Sequence, residues 1–220
     1  MNEVTLNLFE EAELTQTGSE MLCAGARGLR GFALPDETAI FNALNAITIV
    51  APFRHLATPG GFRMSVAMTN CGACGWVSDH NGYRYDAIDP DSAQPWPNMP
   101  DVFLQLARRA ALCAGFENFI PTACLINRYE PGTRLSLHQD KNECDFDAPI
   151  VSVSLGIPAI FLWGGLRRAD RPIRVPLLHG DVVVWGGAAR LHYHGVLPVK
   201  PGYHALTGSC RINLTFRKAI

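Results

Sequence analysis

The sequence predicts a mostly β chain with flanking helices (an α+β class), its core an antiparallel barrel or double-sheet jelly roll. Three observations carry this. From Ala123 to the end, short β runs follow one another at intervals near ten residues, separated by Gly, Pro and Asp. Two upstream segments show helical rather than strand periodicity. Between them lies a loop-rich stretch with one alternating run, a small strand lid. The 220 residues, 48% hydrophobic and 18% charged, suffice for one domain with a sizeable core.

Residues 1–20 are polar and acidic, with Glu10, Glu11 and Glu13, and read as an N-terminal arm. Residues 21–220 read as a single domain, with 53–98 as the lid and 123–218 as the β core. The first helix spans 35–50. Pro35 opens it, Asp36 and Glu37 suit its first turn, and Ile40, Leu44 and Ile47 form its apolar stripe. In the lid, Thr58-Pro59-Gly60-Gly61 is a turn. Met64, Val66 and Met68 alternate with Ser65, Ala67 and Thr69, as in a half-exposed strand. Trp76, Tyr83, Tyr85 and Trp96 follow among Gly, Asp and Pro, and composition alone does not choose between core plugs and a substrate platform. The second helix, 101–114, presents Val102, Phe103, Leu106, Ala110 and Cys113 on one face, with Gly115 beyond its end. The β runs are 123–129, 135–138, 150–155, 160–162, 173–178, 181–185, 191–196 and 211–217.

Nineteen Lys+Arg against 20 Asp+Glu leave a net charge of −1, so any nucleic-acid surface must be a local patch. Seven scattered Cys in a chain this long predict reduced thiols and a soluble, cytoplasmic protein. No 18-residue apolar run predicts a membrane span. Cys71-Gly72-Ala73-Cys74 has neither a second pair nor a βαβ context, which argues against zinc or redox chemistry.

His138 and Asp140 lie two apart in an alternating segment and therefore share a face. They supply two ligands of the 2-His-1-carboxylate set that holds non-haem Fe(II). Leu191-His192-Tyr193-His194-Gly195 offers two candidates for the third, and alternation places both on one face; His179 and His204 are outsiders. In the last strand Arg211, Asn213, Thr215 and Arg217 occupy one face, and Ile212, Leu214 and Phe216 the other. A polar face lining a cavity would offer two guanidiniums, whose forks match carboxylates. Their Cα atoms would be roughly 20 Å apart, so both side chains would have to converge to hold one dicarboxylate. Asn127 and Tyr129 share a face of their own strand and, if inward, need partners.

Asn127-Arg128-Tyr129, His138-Gln139-Asp140-Lys141, Gly164-Gly165-Leu166, 181–187, Tyr193-His194-Gly195 and Arg211–Arg217 together resemble the AlkB family, close to its bacterial members. These are Fe(II)- and 2-oxoglutarate-dependent dioxygenases that reverse alkylation damage on nucleobases. The resemblance runs from about Phe53 to Lys218. It implies a double-stranded β-helix (jelly roll) with an N-terminal nucleotide-recognition lid. It selects His194 over His192, so that His138, Asp140 and His194 are the catalytic metal ligands. It assigns 2-oxoglutarate to Arg211, Asn213 and Arg217, with help from Asn127 and Tyr129, and O₂ as the remaining co-substrate.

The reaction so implied oxidises N-methyl groups of bases such as 1-methyladenine and 3-methylcytosine, releasing formaldehyde, succinate and CO₂. The implied partner is alkylated DNA, single-stranded or with the base flipped out, with RNA as the second polymer; the protein would act as a monomer away from membranes. Trp76 would stack on the base opposite His138, with Tyr83 near its phosphate and Arg168 on the substrate side. Arg54, Arg63, Arg84, Arg167, Arg171 and Arg174 are further candidates for backbone contacts, and Trp96 reads as structural. One departure stands out. Asn142 occupies a position where the bacterial pattern has an acidic residue facing the base edge, and an amide donates as well as accepts. Glu143, next in sequence, is the candidate to compensate.

Overall fold

Strand alternation decides the layering. The structure is a computed structural model, and it describes residues 18–220; the predicted arm lies outside these except Gly18–Glu20. Those three residues open β1 (Gly18–Cys23), which pairs with β2 (Ala26–Arg30). A 3₁₀ turn over Leu34–Asp36 leads into α1 (Glu37–Val50), which buries Ile40, Leu44 and Ile47. The lid region contributes β3 (Ala67–Gly72), the hairpin β4 (Gly75–Asp79) and β5 (Gly82–Asp86), and the two-residue strands β6 (Ile88–Asp89) and β7 (Gln94–Pro95). Helix α2 (Asp101–Cys113) follows, and Gly115 ends it at φ +91°. The core strands are β8 (Ala123–Tyr129), β9 (Leu135–His138), β10 (Ile150–Gly156), β11 (Ala159–Trp163), β12 (Ile173–Leu177), β13 (Val182–Trp185), β14 (His194–Val196) and β15 (Arg211–Arg217).

They form two facing sheets with every pairing antiparallel. The larger runs β1-β2-β13-β10-β15-β8-β3 and the smaller β12-β11-β14-β9. This is the predicted jelly roll. One face of the large sheet, with Ile126, Val153, Leu214 and Phe216, packs on α1 and α2. Its opposite face meets the small sheet across Leu125, Tyr129, Phe161, Trp163, Val183 and Trp185. In β15, therefore, Ile212, Leu214 and Phe216 meet the helices, while Arg211, Asn213, Thr215 and Arg217 point between the sheets.

Three expectations need correction. The 64–69 run is half exposed only at its start, Met64 and Ser65: β3 is the edge strand of the large sheet, and Val66 to Cys71 are all buried because helices cover one face and the small sheet's side the other. Helix α2 is rotated from the predicted stripe. It buries Phe103, Leu106, Ala107, Ala110 and Ala111, and leaves Cys113 exposed. The 191–196 run starts as a strand only at His194, because a 3₁₀ turn over Gly187–Ala189 precedes it. All seven Cys are free, and among the described residues no helix is long and apolar enough to cross a membrane.

Candidate metal and co-substrate site

Adjacent strands of the small sheet bring the ligand candidates together. His138 and His194 are cross-strand partners on β9 and β14, with ring centroids 4.4 Å apart. The strands approach closely at Gly195, where a Cβ would stand 2.7 Å from the Leu135 carbonyl oxygen. Asp140 follows the end of β9. His138 Nε2 lies 3.6 Å from Asp140 Oδ1, and His194 Nε2 lies 3.8 Å from Oδ2. Among the described residues no other group of three His, Cys, Asp or Glu side chains comes this close together; their ligand atoms lie within 4.8 Å of one another.

The imidazole tautomers follow from their partners. His138 Nδ1 is 2.9 Å from the Ser136 carbonyl oxygen, and His194 Nδ1 is 3.0 Å from that of His192. A carbonyl only accepts, so each Nδ1 carries the proton and each Nε2 presents its lone pair to the cluster. Burial, reinforced by neighbouring His138, pushes His194 down to about 3, which keeps it neutral. His192 lies outside this group of three: its Nδ1 donates to the Gly164 carbonyl, and its ring stacks on Trp163. His179 and His204 stack on each other elsewhere, with His179 bonded to Glu37.

The two arginines of β15 do not converge. Arg217 donates from Nε and Nη2 to Asp140 Oδ2, at 2.9 and 2.7 Å. Burial opposes ionisation of Asp140, but the Arg217 guanidinium outweighs it and holds the carboxyl well below the usual range. Arg211 is also buried, yet only Nη2 finds an acceptor, Ser154 Oγ at 3.0 Å. Its Nε and Nη1 have no partner, and its Cζ lies 4.9 Å from the Tyr129 ring centre. Asn127 Oδ1 is likewise buried and unpartnered, whereas Asn213 is tied to Ser152, Val153 and Thr215.

A cavity of about 390 Å³ between the sheets is lined by His138, Asp140, His194, Asn127, Tyr129, Arg211, Asn213, Arg217, Trp76, Tyr83, Asn142 and Arg168. Every site residue expected from the sequence thus faces one space. Apolar Met64, Met68, Leu125, Leu135, Phe161 and Trp185 complete its walls. On the hairpin, Trp76 and Tyr83 stack with centroids 5.6 Å apart and planes 15° apart. Arg168 sits 6.0 Å from the Tyr193 ring centre at the cavity wall.

The expectations for three arginines and for Glu143 fail for electrostatic reasons. Arg54 is paired with Asp89 and Asp91, Arg84 with Asp79 and Asp86, and Arg167 with Asp170, so none is a spare cation. Glu143 does not face the cavity; it is buried against Arg190, Arg217 and Tyr85, so it cannot stand in for an acid at Asn142. Trp96 is 4% exposed, packs with Ala51 and Val77, and is structural. Burial pushes the Cys74 thiol up to about 11, and among the described residues neither Cys71 nor Cys74 belongs to a group of three close metal-binding side chains. Sequence reading missed Ser152 and Ser154, although two serines alternating with Val151, Val153 and Leu155 were a visible sign of an inward polar face.

Residues 25–217 match the family model of the 2OG-Fe(II) oxygenase superfamily. Fold, donor set and this match define the class: an enzyme that uses Fe(II), 2-oxoglutarate and O₂. The chain is 56% identical to the alpha-ketoglutarate-dependent dioxygenase AlkB of Escherichia coli (strain K12), over 97% of this chain and 98% of that one. It is 42% identical to the AlkB homolog of Caulobacter vibrioides (strain NA1000 / CB15N), over 83% and 82%. The solved structure of OsALKBH1 superposes with a TM-score of 0.79 at 29% identity, covering 91% of this chain and all of that one. The chain belongs to the AlkB dioxygenases of the 2OG-Fe(II) oxygenase superfamily.

The residues present fit both groups that the family requires. Two imidazole lone pairs and a carboxylate form the donor set suited to Fe(II). The unpartnered Arg211 nitrogens, buried beside a polar wall, suit the carboxylate of a dicarboxylate.

Proposed function

We propose that this enzyme removes N-alkyl groups, such as those of 1-methyladenine and 3-methylcytosine, from DNA, with RNA as a second polymer. The observation that carries the reading is the single cavity joining the His138–Asp140–His194 cluster, the Arg211 wall and the Trp76–Tyr83 pair. Relatives named as AlkB dioxygenases, together with one from Arabidopsis thaliana named a DNA N(6)-methyladenine demethylase, support it.

When bound, iron, 2-oxoglutarate and O₂ would supply the oxidation: O₂ is the oxidant, one of its atoms ending in the succinate formed with CO₂ and the other on the N-methyl carbon, which leaves as formaldehyde. The chain supplies everything around that chemistry. His138, Asp140 and His194 would hold the metal, their orientation fixed by Ser136, His192 and Arg217. Arg211 would take one carboxylate of the co-substrate, with Tyr129, Asn127 and Asn213 on the same wall. Arg217 lines this wall too, but its fork is already engaged, so its main task is to orient Asp140. The apolar walls exclude water from the reacting carbon.

A methyl on the Watson–Crick edge is out of reach within a duplex, so the base must enter flipped or single-stranded. The Trp76–Tyr83 face offers it a stacking surface, and Arg168 and Lys141 give the mouth positive charge. Asn142 at the same mouth bears on which base is preferred. Residues 53–98, apart from edge strand β3, would act as the lid of one catalytic domain, working as a cytoplasmic monomer. The test is incubation with Fe(II), ascorbate, 2-oxoglutarate and a methylated oligonucleotide. Formaldehyde and loss of the methyl are expected; turnover of 2-oxoglutarate without demethylation would refute the reading.

A further inference from the structure

Glu143 is a deeply buried carboxylate outside the ligand set. Its side chain is 2% exposed, and a buried anion persists only with compensating partners. Arg190 Nη2 donates to Oε2 at 3.0 Å, Tyr85 Oη donates to Oε1 at 2.6 Å, and Arg217 Nε lies 3.4 Å from Oε1. Both arginines also grip Asp140. Arg217 takes its carboxylate, and Arg190 Nη1 donates to its backbone carbonyl at 2.7 Å. The side chain and the main chain of one metal-ligand candidate are thus referenced to the same buried glutamate.

The third partner comes from the lid. Tyr85 is the cross-strand partner of Trp76, and Tyr83 lies two residues before it, so all three aromatics share one face of the β4–β5 hairpin. Two reach the cavity, and the third reaches Glu143. Burial, with the adjacent Glu143 charge, holds the Tyr85 phenol far above its ordinary range, so it remains a donor.

We propose that Glu143 is a positioning residue that divides Arg217 between two carboxylates and, through Tyr85, ties the base-facing hairpin to the metal-binding aspartate. Without Glu143, Arg217 has only Asp140 to pair with, and the orientation in which Asp140 offers its oxygens changes. Without the Tyr85 hydroxyl, the hairpin loses its tether to the same point. Whatever stabilises the hairpin then also stabilises the metal ligand, and the converse holds by linkage. This rests on the reading of His138, Asp140 and His194 as the ligands.

The test is a Mn(II) titration of the metal-free full chain, followed by the resonance of free Mn(II), with Co(II) d–d absorption as a report on coordination. Glu143→Gln is expected to weaken Mn(II) binding about tenfold or more, the range for residues that orient ligands. Tyr85→Phe, which removes one oxygen and no charge, is expected to weaken it roughly threefold, through loss of one hydrogen bond. The double variant should match Glu143→Gln alone, and both single variants should shift the Co(II) band. Tyr85→Phe within twofold of the wild type, or a double variant whose loss is the product of the two, overturns the proposal. Should Glu143→Gln not fold, Tyr85→Phe decides by itself. Wild-type protein that binds no Mn(II) refutes the ligand reading instead.

Discussion

The two ends of β15 carry the same side chain on the same face and use it in opposite ways. Arg217 is saturated, forked onto Asp140 and adjacent to Glu143. Arg211, equally buried, keeps two nitrogens without a partner, and burial pulls its affinity for the proton down despite help from Tyr129. The difference lies in what surrounds each end: the carboxylates of Asp140 and Glu143, from the segment after β9, at one, and serine, asparagine and a phenol ring from the flanking strands at the other. One arginine completes a ligand that already belongs to the chain. Its twin is reserved for negative charge brought from outside.

The largest effect should come from breaking the saturated end. Arg217→Met strands Asp140 as a buried anion, while Glu143 keeps Arg190 and Tyr85, and should destabilise the metal-free protein by about 3–5 kcal/mol in denaturant unfolding. Arg211→Met removes an unsatisfied cation and should leave stability level or slightly higher. Equal losses in the two variants would erase the contrast. Second, with Mn(II) present, 2-oxoglutarate at a hundred times its Kd should stabilise the wild type by about 2.7 kcal/mol in thermal shift. Arg211→Met should abolish that gain.

Third, Trp76→Ala should weaken binding of a methylated oligonucleotide by roughly 1–3 kcal/mol of stacking, read by fluorescence anisotropy, with little change in 2-oxoglutarate affinity. The smallest effect is in pH. His194 is held at about 3 when folded against 6.5 ordinarily, so the unfolded chain binds the extra proton between these values. Stability of the metal-free protein therefore rises with pH through this window. Lowering pH from 6 to 5 should cost about 1 kcal/mol, an increment that His194→Asn loses.

Legibility followed the strictness of local pattern. β8 and β15 were readable to the residue: in β15 unbroken alternation over seven positions fixes both the strand and its two faces, and in β8 an apolar run leads into Asn127 and Tyr129 on one face. The β4–β5 hairpin was read as loop, although Asn81-Gly82 is a turn dipeptide; its Gly, Asp and aromatic content masked the pairing. His192 and His194 could not be separated by alternation, because the preceding 3₁₀ turn lies outside any two-residue period. The Glu143 network left no trace in the sequence. Tyr85, Arg190 and Arg217 lie 58, 47 and 74 positions from Glu143, and nothing in composition marks a glutamate as buried. Arg54 and Arg84 misled in the same way, since their acidic partners are fixed only by the fold.

The two-sided use of β15 sets the chain's tolerance to insertions and deletions. One residue added within it would rotate Ile212, Leu214 and Phe216 into the cavity and drive the arginines against α1 and α2, abolishing the hydrophobic interior and the co-substrate wall together. A two-residue insertion preserves the facing and shifts only the register. The exposed turn at 166–171 between β11 and β12 packs into neither layer, and can lengthen there so long as Arg168 keeps its place at the cavity wall.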